Sequence, residues 1–157
     1  MELQHYTDQI VALSQQEDLL QLGRPAGEIK QQFEDLLIEL ERQEQVKRLD
    51  ANDAGESYEE IDYKPLKEAF FEAYNQFVTK RKAQQQLQQT LETQNLKLKK
   101  DLITRLKEVI DNEEKIGTAF QAYKEIHETW KKIGAIPREH RETLQKEYSR
   151  LLEIFLY

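Results

Sequence analysis

The feature that most constrains the fold is a corner at residues 130–139, Trp-Lys-Lys-Ile-Gly-Ala-Ile-Pro-Arg-Glu. Lys131 and Lys132 suit the last turn of a helix, where cations interact favourably with the negative end of the helix dipole. Gly134 can adopt the left-handed conformation that ends a helix, and Pro137 suits the first turn of the next helix. The run therefore predicts two helices that meet at a tight corner.

The composition predicts an all-α protein. Charged residues make up 34% of the 157 residues and hydrophobic ones 38%, with only 5 Gly and 3 Pro, which is typical of long solvated helices. The absence of cysteine excludes disulfides, thiolate catalysis and metal sites that need Cys ligands. No apolar run is long enough to span a membrane, and residues 1–10 lack signal-peptide features, so we expect a cytoplasmic protein.

The spacing of apolar residues predicts two small three-helix units in tandem, joined by a long helix. The first unit covers residues 1–83 and contains an acidic loop at 50–62. Residues 84–98 form the connecting helix, and the second unit covers 99–157. Each unit is too small to bury much surface alone, so we expect it to stack on neighbours or partners.

In the first unit, we predict a helix from Tyr6 to Leu22, ended by Gly23. A second helix begins at Pro25 and continues toward Leu49. The third begins at Pro65.

In the second unit, the first helix contains Leu102 and Leu106, and Thr118 is a candidate N-cap of the next helix. The third helices of the two units correspond at an offset of 78 residues, which suggests a duplication. The matched apolar pairs are Leu66 and Leu144, Phe70 and Tyr148, Ala73 and Leu151, Tyr74 and Leu152, and Phe77 and Phe155.

The connecting segment contains no Gly or Pro from Lys80 to Lys100. A helix from Pro65 to Asn112 would be roughly 70 Å long, with Thr93 or Asn95 as positions for a bend. A homodimeric zipper is disfavoured here because polar side chains occupy seam positions. These are Arg81, Gln84, Gln88 and Asn95.

The corner motif lies between a run of periodic apolar residues and the later series Leu144, Tyr148, Leu152 and Phe155. In this arrangement the chain resembles the bacterial family called domain of unknown function 349, over residues 99–157, with a weaker second copy in residues 1–83. The resemblance implies a small all-helical module, usually present in several tandem copies, and no established biochemical activity. The apolar residues at 155–157 likewise suggest that further copies follow.

A basic group on the connecting helix is the best candidate site. Net charge is −7, but residues 79–107 hold eight Lys/Arg and two Asp/Glu. The cations are Lys80, Arg81, Lys82, Lys97, Lys99, Lys100, Arg105 and Lys107. They could contact nucleic-acid phosphates, an acidic protein surface or the acidic first unit of a neighbouring copy, or could form a solvated or intramolecular face.

Trp130, Gly134 and Pro137 form the structural motif of the second unit. Trp130 could line a peptide groove with its neighbours, although core packing is favoured. The neighbours are Phe120, Tyr123, Tyr148 and Phe155.

The sequence offers no catalytic, metal or cofactor site. His5, His127 and His140 are scattered and lack the spacing of helical metal sites. The pairs Glu59/Glu60 and Glu113/Glu114 are typical of solvated surface. We therefore predict a non-catalytic helical module for protein interaction or scaffolding in a larger multi-copy protein, with no cofactor and no small-molecule substrate. Backbone-directed RNA or DNA binding by the basic helix is the alternative.

Overall fold

The computed structural model describes residues 2–112 and 116–156, with the side chain of residue 116 excluded. Within these ranges the chain is all-α, as predicted, and none of the described residues lies in a β-strand. The α-helices are α1 (Glu2–Ser14), α2 (Gly23–Asp53), α3 (Lys64–Asp111), α4 (Ile116–Lys132) and α5 (Arg138–Leu156), and a short 3-10 turn covers Leu20–Leu22.

The chain divides into two compact units, and the boundary falls within α3, between Gln85 and Gln86. The helix α3 is continuous through this boundary and through Thr93 and Asn95. The Thr93 hydroxyl donates to the Gln89 carbonyl, 2.9 Å away, one turn earlier in the helix, which satisfies the hydroxyl within α3.

Unit one packs α1, α2 and the first part of α3 around a stack of two aromatic rings. Phe33 and Phe70 are fully buried, and their ring centroids lie 3.9 Å apart with an interplanar angle of 6°. Phe71 packs its edge against both rings. The core residues around them are Leu3, Ile10, Leu19, Ala26, Leu37, Ala73 and Phe77.

Unit two packs the last part of α3, α4 and α5 around a similar stack. Trp130 and Tyr148 have ring centroids 3.9 Å apart and an interplanar angle of 5°. The buried residues around this stack are Leu102, Ile103, Leu106, Ile126, Ile136, Leu144 and Leu151. Tyr148 therefore occupies a central position in its unit, as does Phe70, its counterpart at the 78-residue offset.

The first predicted helix boundary is wrong. The helix α1 ends at Ser14 instead of Leu22, and Gly23 begins α2 with an ordinary helical φ of −57° instead of ending a helix. The chain leaves the helix because Leu19 turns inward to full burial, and because the Asp18 carboxylate accepts the Leu20 N–H at 2.9 Å. Such local side-chain bonds compete with helical ones.

The acidic loop also begins later than predicted. The helix α2 continues to Asp53, and residues 54–63 are irregular. Gly55 has a φ of +71°, its N–H donates to the Asn52 carbonyl, and the Glu56 N–H donates to the Ala51 carbonyl. This is the Schellman arrangement, which uses a left-handed glycine to satisfy the last carbonyls of a helix.

Three details of unit two differ from prediction. The helix α4 begins at Ile116, so Thr118 lies inside the helix and is not its N-cap. Pro137 lies immediately before α5 and not in its first turn. Gly134 has no positive φ; a Cβ there would lie 3.3 Å from the Asn95 side-chain nitrogen, so close approach explains the glycine.

Candidate interaction surface

The basic group was the leading candidate site, and in unit one two of its members bind the backbone of the segment between α1 and α2. Lys80 donates to the Ser14 carbonyl at 2.6 Å. Arg81 donates to the carbonyls of Leu19 and Leu20, at 3.2 and 3.1 Å. These two cations donate hydrogen bonds to helix-end and loop carbonyls, and this leaves them poorly placed to contact an external phosphate.

In unit two, three more cations have intramolecular partners. Lys99 lies 4.4 Å above the Trp130 ring, and burial lowers the pKa of its ammonium group. Arg105 lies 3.4 Å from Glu125, and Lys107 lies 2.8 Å from Glu147. Most of the predicted basic face is therefore engaged within the molecule.

Lys82, Lys97 and Lys100 complete the group. All three are exposed, and within the described part of the chain they form no hydrogen bond or ion pair. Three exposed lysines on one helix supply little positive charge for a nucleic-acid backbone, since each phosphate neutralised contributes separately to binding.

The polar residues that were expected to disfavour a zipper also have specific partners. The Gln84 side chain accepts the Leu19 N–H and donates to the Glu17 carbonyl, both at 2.8 Å. Asn95 donates to the Ala135 carbonyl at 2.8 Å. Each amide thus satisfies backbone groups of an irregular segment that packs on α3 in the same unit.

A row of leucines on α3 remains uncovered in unit two. Leu87, Leu91 and Leu98 are 61%, 49% and 50% exposed, and they lie four and seven residues apart, which places them on one side of the helix. We call these three residues the leucine stripe. A row of exposed leucines on one helix face is typical of a surface that binds another helix.

The sequence alone does not identify these leucines as a surface. Leu102, one turn after Leu98, is buried at 9% exposure, so spacing alone does not separate the leucines that face the core from those that face solvent. The distinction depends on where α4 and α5 pack, which is tertiary information.

The aromatic residues around Trp130 divide between core and surface. Trp130 is 6% and Tyr148 1% exposed, so these two rings form core and do not line an open groove. The Tyr148 hydroxyl lies 2.8 Å from His127 Nδ1, and burial raises the pKa of Tyr148 to about 12. Tyr123 stacks on Phe155 at 5.0 Å, while Phe120 is 44% exposed.

The loop at 54–63 is attached to α2 through Glu44, a carboxylate that is 5% exposed. Glu44 accepts hydrogen bonds from the Tyr58 hydroxyl and, at 3.2 Å, from the Ile61 N–H, and it pairs with Lys47 at 3.7 Å. The Tyr58 bond is the main reason that the pKa of Glu44 is lowered. Beside it lies an open cavity of about 750 Å³ with acidic and aromatic walls.

The paired carboxylates considered in the sequence lie partly in the described part of the chain. Glu60 pairs with Arg48 at 3.3 Å, whereas Glu113 and Glu114 lie outside the described residues. Over residues 2–112 and 116–156, no group of three or more His, Cys, Asp or Glu could hold a metal ion. In the same ranges, no helix is long and apolar enough to cross a membrane.

One family comparison gave a match. Residues 65–139, a little under half of the chain, match the family described as Domain of Unknown Function (DUF349). The match ends at Glu139, the last residue of the corner motif, but it begins at Pro65, whereas the sequence resemblance was placed at 99–157. Searches among curated proteins and among solved structures found no match.

Proposed function

Because residues 65–139 match the DUF349 family, whose description assigns no activity, we propose a role from the surface itself. The chain acts as a non-catalytic docking module that binds a protein partner through the leucine stripe. The observation that carries this proposal is the exposure of Leu87, Leu91 and Leu98, by about half or more, inside the matched range.

The energetics favour an apolar interface at this face. Covering the exposed part of each leucine contributes on the order of 1 kcal/mol, so three provide a useful fraction of a micromolar affinity. The neighbouring Lys97 and Lys100 are exposed and available to pair with carboxylates. The partner with the best fit is an amphipathic helix with acidic residues beside its apolar face.

Nucleic-acid binding through the basic helix is the weaker candidate. It requires cations that reach phosphates, and five of the eight basic residues already contact carbonyls, carboxylates or an aromatic ring. The buried Trp130 and Tyr148 rings are also unable to stack on bases.

Site-specific photo-crosslinking in cells tests the docking proposal. A photoreactive amino acid at Leu91 should give adducts with protein, and the same group at Val78, which is 43% exposed on the unit-one part of α3, should not. Equal labelling at both positions, or adducts with nucleic acid only, would contradict docking through the stripe.

Fluorescence anisotropy with labelled single-stranded RNA and duplex DNA tests the alternative. We expect no binding at near-physiological salt, and no difference when Lys82, Lys97 and Lys100 are changed to Gln. Binding at that salt that the triple variant loses would establish the nucleic-acid function instead.

A further inference from the structure

We propose that the partner of the leucine stripe is the outer face of α2 in a second copy of this chain. This inference rests on the proposed function and names its partner. It requires that α2 present an apolar row of matching length, with charge opposite to that beside the stripe.

The helix α2 has such a row on the side away from its core. Ile38, Val46 and Leu49 are 67%, 44% and 51% exposed, whereas Phe33 and Leu37 of the same helix are buried in unit one. We call Ile38, Val46 and Leu49 the α2 row. Unit one therefore has two apolar faces on α2, and only one of them is covered.

The lengths of the two rows agree. Ile38 and Leu49 are eleven residues apart, as are Leu87 and Leu98. Eleven residues make just over three helical turns, so each pair lies on one face and spans about 16 Å.

The positions of Val46 and Leu91, the middle residues of the two rows, determine whether the two helices pack parallel or antiparallel. Val46 lies three residues from Leu49, and Leu91 lies four residues from Leu87. Antiparallel helices would place Leu49 on Leu87, Val46 close to Leu91, and Ile38 on Leu98. Parallel helices would instead place Leu91 opposite Arg42 and Val46 opposite Asn95.

Charge favours the same antiparallel direction. Residues 34–42, around Ile38, carry four carboxylates and one cation, Arg42, which is already paired with Glu39 at 2.6 Å. The segment around Leu98 carries the exposed Lys97 and Lys100, together with Lys99, which already lies on Trp130, and one carboxylate, Asp101. Antiparallel docking brings these two ends together, whereas parallel docking would bring the lysines near Lys47 and Arg48.

The contact joins two different faces, so it is heterologous. Each copy that uses its leucine stripe still has a free α2 row, and the reverse holds for its neighbour. Association of this kind continues to higher oligomers unless the geometry closes a ring.

Complementary variants test the inference by sedimentation velocity at low salt. Leu91→Glu disables the stripe and Ile38→Glu disables the α2 row, because each places a charge in an apolar contact. Each variant alone should be monomeric, with a self-association Kd raised at least about tenfold. An equimolar mixture should form a 1:1 dimer, since each variant retains the face that the other lacks.

Val78→Glu is the matched control and should associate as the unmodified chain does. Circular dichroism should show that all three variants retain their helices, because all three positions are exposed. Failure of the mixture to dimerise while the unmodified chain associates would overturn the heterologous pairing.

An unmodified chain that stays monomeric at its highest soluble concentration would overturn the second copy as the partner. The photo-crosslink at Leu91 then separates this failure from that of the proposed function. Adducts with a different protein would support the proposed docking through the stripe while excluding a second copy as the partner. The absence of protein adducts would contradict both the proposed function and this inference.

Discussion

Each unit contains an irregular corner that packs on α3, and the two corners are stabilised differently. In unit one, residues 15–22 bury Leu19 and also receive several hydrogen bonds from α3: Gln84 binds both Leu19 and Glu17, and Arg81 binds the carbonyls of Leu19 and Leu20. The backbone there has abandoned helical bonding, so α3 supplies the missing partners.

In unit two, residues 133–137 depend mainly on apolar burial. Trp130 and Ile136 are 6% and 4% exposed, while the polar support is limited to Asn95 on the Ala135 carbonyl and Arg141 on the Ile136 carbonyl. In both corners a glycine lies against the supporting side chain, Gly23 against Arg81 and Gly134 against Asn95. The comparison teaches that one helix can support two turns by different means, provided that each turn leaves room for the supporting group.

The largest expected effect is on the apolar corner. Ile136→Ala should lower the free energy of unfolding of unit two by about 2–5 kcal/mol, because it removes a buried aliphatic side chain and leaves a cavity. Trp130 is the single tryptophan of the chain, so its fluorescence during urea unfolding reports on this unit. A loss below about 1 kcal/mol would show that burial is not what stabilises this corner.

The next effect concerns the hydrogen-bonded corner. A Cβ at Gly23 would lie 3.0 Å from the Arg81 guanidinium, so Gly23→Ala should displace Arg81 and cost about 1–3 kcal/mol. In an Arg81→Ala background, the same substitution should be neutral or stabilise by up to about 1 kcal/mol, because Ala is the better helix former. Urea unfolding, monitored by circular dichroism, measures the free energy of unfolding of the two single variants and the double variant. If the effects of Gly23→Ala and Arg81→Ala are additive, the contact between Gly23 and Arg81 is contradicted.

A smaller effect is expected at the equivalent glycine of unit two. Gly134→Val should cost about 0.5–1.5 kcal/mol, mainly by weakening the hydrogen bond from Asn95 to Ala135, since the backbone φ is ordinary. Thermal unfolding of the variant, with Asn95→Ala as the control background, measures it. A much larger loss that persists in the Asn95→Ala background would point to backbone strain.

The smallest expected change in the free energy of unfolding concerns the two aromatic stacks. Tyr148→Phe makes the stack of unit two resemble that of unit one, and it should cost about 1 kcal/mol or less by removing the bond to His127. The pKa of Tyr148 is raised from 10.0 to about 12, so its neutral hydroxyl is favoured in the folded protein.

The stabilisation from that shift is complete below pH 10 and is lost as pH rises through about 12. Tyr148→Phe should therefore reduce the alkaline loss of stability, which unfolding at a series of pH values would measure. An unchanged alkaline profile would exclude Tyr148 as its source.

Local and periodic signals were sufficient to predict much of the fold. The glycine and proline at 134 and 137 predicted the boundary between α4 and α5, and the 78-residue offset paired Phe70 with Tyr148, both of which are buried. The end of α1 was missed because Leu19 continues the helical apolar spacing, and its partners Arg81 and Gln84 lie more than sixty residues later. Gly55, by contrast, was a visible signal for the end of α2 that the acidic composition of the loop obscured.

The partners of the basic residues could not be predicted, for the same reason. The basic residues were correctly found on α3, but a sequence does not show that Lys80 and Arg81 meet carbonyls from another segment, or that Lys99 lies on Trp130. Conversely, the leucine stripe has the spacing of a buried face but is exposed, because none of the residues of unit two that the structure describes covers it.

The attachment of the 54–63 loop at two separate points has a consequence for protein engineering. Gly55 and Glu56 complete the end of α2, and Tyr58 and Ile61 are bound by Glu44, so Ser57 lies between two fixed ends. Lengthening a flexible loop costs only about 0.6 kcal/mol for each doubling of its length. A peptide tag or a reporter domain inserted at Ser57 should therefore leave both attachments intact, and would label unit one without altering the α2 row or the leucine stripe.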